Sequence, residues 1–154
     1  MKRFHARITW ERAGQGVLDG RYSRAHAWRF DGGVSVPASS SPLSVPLPMS
    51  DPAAVDPEEA LVAATSSCHM LFFLSLAAQR GYIVERYDDA ACGLLDTNAA
   101  GRMAMVRIEL RPAIAFAGAR QPDARELSAI HHLAHERCYI ANSLNTEIVV
   151  LETR

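Results

Sequence analysis

Residues 56–81, DPEEALVAATSSCHMLFFLSLAAQRG, restrict the possible folds of this chain more than any other stretch. Asp56 is a good N-cap, Pro57 suits the first helical position, and Glu59 stands three residues past the cap, where a capping box needs its acid. Gly81, after Gln79 and Arg80, supplies the helix stop. Between these signals the run is apolar almost all round. It predicts a long helix that forms the axis of the fold and is covered on several sides. Residues 60–78 are apolar enough to raise a membrane span. Thr65, Ser66, Ser67, His69 and Ser75 interrupt them, however, two glutamates stand at the entrance, and no second such stretch accompanies them. A buried central helix of a soluble protein is the better reading.

The remaining patterns place strands around that helix. In FHARITW, Phe4, Ala6, Ile8 and Trp10 alternate, as in a half-buried strand. In YSRAHAWRF, Tyr22, Arg24, His26, Trp28 and Phe30 fall on one face, and Asp31-Gly32-Gly33 turns the chain. Six of the eight prolines lie in residues 34–57, which predicts an extended edge segment or a long loop. YIVERYDDAACGLLD and MAMVRIELRPAIAFAG read as strands joined by a turn at NAAG. In the second, Val106, Ile108 and Leu110 alternate with Arg107, Glu109 and Arg111 to leave one wet face, and Pro112 predicts a bulge or an edge. A second helix follows, capped by Asp123 with Glu126 three residues on. Leu127, Ile130, Ala134 and Cys138 form its buried stripe, and NTEIVVLE closes the chain as a strand. The expected fold is α+β, one domain over residues 1–154, with mainly antiparallel sheets.

A net charge of −1 gives no electrostatic footprint for nucleic acid or an anionic membrane surface. The N-terminal MKRFHARITW lacks a continuous apolar core and a cleavage-like site, so a cytoplasmic protein with free thiols is expected. Three scattered cysteines, with no C-x-x-C pair, do not make a disulfide scaffold.

Cys68, in the middle of the long helix, has two readings. As packing, it is a small hydrophobe whose burial among Leu61, Ala64, Leu71 and Phe72 raises its pKa and makes it inert. As a nucleophile, it needs a nearby cation. Arg24, on the apolar side of its strand, either meets such a need or snorkels to water; Arg21, before the strand proper, is the weaker candidate. In a straight helix Glu59 points about 180° away from Cys68 and Glu58 about 80°, both roughly 14–15 Å along the axis. Glu58 therefore cannot touch its own Cys68. It can pair with Arg24, or reach a site on a second subunit. Capping alone also explains both acids.

Cys138 reads as core packing or as a resolving partner for Cys68, the latter requiring Cα atoms within about 7 Å. Cys92 reads as a plain strand residue. His131 and His135, four apart, have a zinc-ligand spacing with Cys138 three residues beyond. No further pair completes a tetrahedral set, so a solvated helix face that includes His132 is expected instead. His69 lies about 100° round the helix from Cys68 and is not automatically its base.

DPEEALVAATSSCHM resembles the "NPEE…C" signature of the OsmC/Ohr family, the osmotically inducible and organic-hydroperoxide-resistance proteins. Glu58 precedes Cys68 by ten residues, as the family's Glu precedes its reactive Cys. ERCYIANSL resembles the second cysteine motif, and the order of elements matches along essentially the whole chain. The resemblance implies antiparallel sheets around a buried central helix in an intertwined homodimer, with two sites at the subunit interface. It implies a thiol peroxidase without metal or haem that reduces organic hydroperoxides and is recycled by a dithiol, commonly a lipoyl group. It implies Cys68 as peroxidatic, Cys138 as resolving, Glu58 as the acid that orients a catalytic Arg, and a pocket to which Leu71 and Phe72 contribute. Residues 31–57 hold no Arg, so the strand position at Arg24 remains for the catalytic one. The chain departs from the family in Tyr139, where Pro is common, and in His69, where an aromatic residue is common. Two rivals remain: a non-catalytic dimeric ligand-binding domain of the same fold, and a His/Cys metal protein.

Overall fold

The computed structural model describes residues 1–151, so Glu152, the last residue of the expected C-terminal strand, lies outside them. The chain divides into two compact units, Met1–Ala60 and Leu61–Arg154, with the boundary in the first turn of the long helix.

In the first unit β1 (Ala6–Thr9), β2 (His26–Phe30) and β3 (Ser35–Ala38) form an antiparallel meander. The β2–β3 turn closes as expected: Phe30 N–H donates to Val34 O, Gly33 N–H donates to Phe30 O, and Gly33 takes a φ of +87° that glycine tolerates. Pro37 is compatible with β3 because β3 is an edge strand. Turns then carry the chain to Val55, which returns beside β3 through Ser39 N–H to Val55 O (3.0 Å) and Val55 N–H to Pro37 O (3.1 Å).

Two expectations change here. β1 is not half-buried, since Ala6, Arg7 and Ile8 are all exposed, Ile8 to 60%. The second strand is shorter than its alternation suggested, because Arg24 N–H donates to Met49 O (2.8 Å) rather than to a β-ladder. Alternation reports side-chain polarity and not which backbone partner is available.

The long helix α1 (Pro57–Gln79) starts on the predicted capping box, with Glu59 N–H donating to Asp56 Oδ1 (2.7 Å) and Asp56 N–H to Glu59 Oε2 (3.3 Å). It ends in a Schellman arrangement, with Gly81 at φ +78° and Tyr82 N–H donating to Ala77 O. Then follow β4 (Ile83–Asp89), β5 (Cys92–Thr97), β6 (Met103–Leu110), β7 (Pro112–Ala117), α2 (Ala124–Arg137), a short 3-10 turn (Ala141–Ser143) and β8 (Glu147–Val150). Each of the two long strand runs thus folds as two strands. β4 pairs with β7, and β5-β6-β8 form a second sheet. Pro112 opens β7, where it interrupts no ladder interior. Pairing is antiparallel except for β6 with β8, which run parallel.

The core of the second unit joins α1 and α2 through Phe73, Leu76, Ala77, Tyr82, Ile130 and Ala134, with Val84 and Tyr87 of β4 and Ile114 and Phe116 of β7 packed against them. On α1 only Thr65, His69, Phe73, Leu76 and Ala77 are buried, one stripe rather than several sides, while Leu71 is 61% exposed. A single chain supplies packing layers for that stripe alone. α1 is long and apolar enough to cross a bilayer by composition, yet its buried stripe packs within the protein.

Candidate thiol site

Cys68 lies off the buried stripe of α1, a third of a turn from His69. It is half-buried and lines a recess of about 440 Å³. Ala64, Leu71 and Phe72 share that helix face, and Tyr139 and Ile140 close the recess from the segment after α2. The Phe72 and Tyr139 rings meet edge to face, with centroids 5.1 Å apart. Among the described residues no charged side chain lines this recess.

Cys138 ends the α2 stripe as the helix C-cap and is buried. Both cysteines are free thiols, and Cys68 is near enough to Cys138 to raise its pKa. Burial, then the contact with Cys68, pushes the Cys138 thiol up to about 11, against a smaller opposing pull from the Ala141 and Ile140 N–H groups. The Ala141 N–H lies 3.4 Å from Cys138 Sγ. At neutral pH Cys138 is therefore protonated, and Cys68 is the thiol of the pair that opens to the recess. Cys92 is exposed on the edge strand β5, apart from this arrangement.

Arg24 and Glu58 line a groove of about 630 Å³ in the first unit, together with Ile8, Trp10, Tyr22 and His26. They do not form an ion pair with each other among the described residues. The Arg24 guanidinium instead donates to Gly20 O (2.7 Å) and to Tyr22 O, and lies 3.7 Å above the Tyr22 ring centroid. The grip expected from Glu58 is supplied in this conformation by the residue's own loop. Arg21 is exposed, and its backbone N–H donates to Asp19 Oδ1 (3.0 Å). His26, which the sequence reading assigned no role, braces this segment. Its Nε2 accepts from Trp28 Nε1 (2.9 Å), so its Nδ1 carries the proton that faces Arg24 O at 2.7 Å. The His-x-Trp spacing on one strand face is the signal for it.

The histidines do not form the solvated face expected of them. His132 is exposed and within 3.3 Å of Glu136, but His131 is buried and its Nδ1 lies 3.0 Å from His69 Nε2. Among the described residues no group of three or more His, Cys, Asp or Glu side chains is arranged to hold a metal ion.

Comparison with known proteins places this geometry in context. The family model described as OsmC-like protein matches residues 50–153. An OsmC-like protein of unknown function from Vibrio cholerae is 49% identical, with a TM-score of 0.97 over 99% of this chain and 100% of that one. An organic hydroperoxide resistance protein from Elizabethkingia anophelis shares the fold at 14% identity, with a TM-score of 0.74 over 100% of this chain and 97% of that one. The organic hydroperoxide resistance protein OhrB of Bacillus subtilis does so at 15% identity, with a TM-score of 0.63 over 97% and 98%. No curated protein matches the sequence.

Proposed function

Because the chain belongs to the OsmC family, we propose that it is a cysteine-based peroxidase that reduces organic hydroperoxides. The observation that carries this reading is that Cys68 opens to an apolar recess while the buried Cys138 is near enough to feel its charge. The Cys68 thiolate attacks the distal peroxide oxygen. The O–O bond breaks, the alkoxide takes a proton to leave as alcohol, and Cys68 becomes a sulfenic acid. The Cys138 thiol then condenses with it, forming the disulfide and releasing water. A dithiol, of the lipoyl type on the family's pattern, restores both thiols by exchange and is itself oxidised. A recess lined by Ala64, Leu71, Phe72 and Ile140 favours a substrate with an apolar body over hydrogen peroxide, since each Å² of apolar surface buried adds about 25 cal/mol.

The cation that the thiolate requires is assigned to Arg24, with Glu58 as its acid. The working form is a homodimer in the cytoplasm, which supports an account of the bare apolar side chains Ile8, Trp10 and Leu71. No metal, haem, nucleic acid or membrane takes part in this scheme.

Intact-mass measurement and thiol titration before and after one equivalent of cumene hydroperoxide test the reading. The expected result is a loss of about 2 Da and of two thiols, mapped to Cys68 and Cys138, and absent in Cys68→Ser. An unchanged mass would support a non-catalytic binding domain of the same fold and would overturn the enzyme. Sedimentation of the native protein as a single chain would overturn the dimer.

A further inference from the structure

Two imidazoles lie inside the second unit where the thiol chemistry does not use them. His69 is 1% and His131 3% exposed, and their facing nitrogens are 3.0 Å apart. The ring planes differ by 10°, and the centroids are 5.3 Å apart. Rings that are nearly parallel with nitrogens this close lie edge to edge, so the shared proton sits along an in-plane lone pair, the best geometry for an N–H···N bond. The Phe73 ring, 4.5 Å from that of His131, presses on the same pair.

Among the described residues His69 Nδ1 is buried without a partner. An orphaned lone pair costs less than an orphaned N–H, which places the shared proton on His69 Nε2 and makes His131 Nδ1 the acceptor. Leucine or phenylalanine would fill this volume without desolvating two polar rings. What the imidazoles add is direction: one bond with a defined length between α1 and α2.

The two sulfurs are carried by the same helices. Cys68 adjoins His69, and Cys138 follows His131 by seven residues, two turns on and within about 20° of the same helix face. We propose that His69 and His131 are positioning residues for the Cys68–Cys138 pair, their buried hydrogen bond fixing the approach of α1 to α2 at which the two sulfurs can join. The inference rests on the proposed dithiol chemistry and extends it to residues that touch neither peroxide nor sulfur.

The test is the equilibrium of the Cys68–Cys138 disulfide with dithiothreitol redox buffers, measured on the whole protein at pH 7. Forming the bond passes two electrons and two protons to oxidised dithiothreitol. In His131→Leu, which keeps the bulk and removes the acceptor, the equilibrium constant for disulfide formation is expected to fall at least tenfold, about 30 mV. His131→Asn, whose side-chain oxygen lies near the Nδ1 position, is expected to stay within twofold of wild type. Ile130→Val, a neighbouring loss of packing, is expected to do the same. Should His131→Leu not fold, His131→Gln replaces it, since its amide reaches past the Nδ1 position, and the same tenfold fall is expected. A wild-type constant in the bond-deficient variant, or an equal fall in Ile130→Val, would overturn the positioning role while leaving the dithiol chemistry intact. A wild-type protein that forms no disulfide in these buffers would overturn both.

Discussion

Arg24 shows how a residue is legible in type and not in partnership. A guanidinium on the apolar side of an early strand demanded a partner, and the structure gives it the Gly20 and Tyr22 carbonyls and the face of the Tyr22 ring. Sequence offers Glu58, which lines the same groove without pairing with Arg24 in this conformation, because charge complementarity is visible in a string of letters and a loop carbonyl is not. If Arg24 is the cation that stabilises the Cys68 thiolate, Arg24→Met, which keeps much of the stem, should slow oxidation of Cys68 by cumene hydroperoxide by about 10²-fold. Arg24→Lys should restore only part of that, since an ammonium lacks the planar fork. Stopped-flow measurement of the first oxidation step reads both, and an unchanged rate in Arg24→Met removes the residue from the reaction. The cysteines were easier to find. The stripe that ends on Cys138 came from helical spacing, and the motif around Cys68 came from the resemblance. The His69–His131 bond was hidden because each ring was read only against its own helix, 62 residues from the other.

At the scale of elements, what the chain wrote locally is what it formed. Asp56 with Glu59 and Asp123 with Glu126 both close capping boxes, Gly81 ends α1, and the Asn98–Gly101 turn joins β5 to β6 through Gly101 N–H to Asn98 O (2.9 Å). Pairings between distant strands were not written locally. Nothing in the run that contains β8 says that it lies parallel to β6, since a short apolar strand fits either direction. Gly93 illustrates a contact of this hidden kind. A Cβ there would stand 2.6 Å from Val62 Cγ2 and 2.6 Å from Met105 Sδ, so α1 and β6 both close on the bare backbone of β5. Gly93→Ala should therefore destabilise by about 1–3 kcal/mol through overpacking. Gly32→Ala, which meets nothing within 4 Å, should stay within about 0.5 kcal/mol of wild type. Urea denaturation of the two variants side by side separates steric crowding from a general intolerance of glycine replacement.

For the molecule as a whole, the buried histidine pair ties stability to pH. Burial holds both His69 and His131 at about 4, well below the ordinary imidazole value; His135 on α2 lowers His69 further, while Asp89 on β4 pulls it back up. Tyr87, also on β4, is pushed upward by burial and stays neutral throughout this range. Well above pH 6.5 neither the folded nor the unfolded chain protonates these imidazoles appreciably, and their contribution is fully present. As pH falls from 6.5 toward 4 the unfolded chain binds protons that the folded pair refuses, so stability declines across that window. One such site is worth about 3 kcal/mol over the whole interval, and the pair is worth more than one site, because the unfolded chain protonates both rings independently while a proton on one folded ring repels a proton on the other. The decline precedes the range in which most carboxylates take up protons, which separates it from ordinary acid unfolding. Urea unfolding at pH 7, 5.5 and 4.5 should show a loss of at least about 2–3 kcal/mol in the wild-type protein. In the His69→Gln/His131→Asn double variant, which keeps polar groups near the bonded positions without a titrating ring, the same three measurements should differ by less than about 1 kcal/mol. Equal slopes in the two proteins would mean that other groups carry the acid sensitivity.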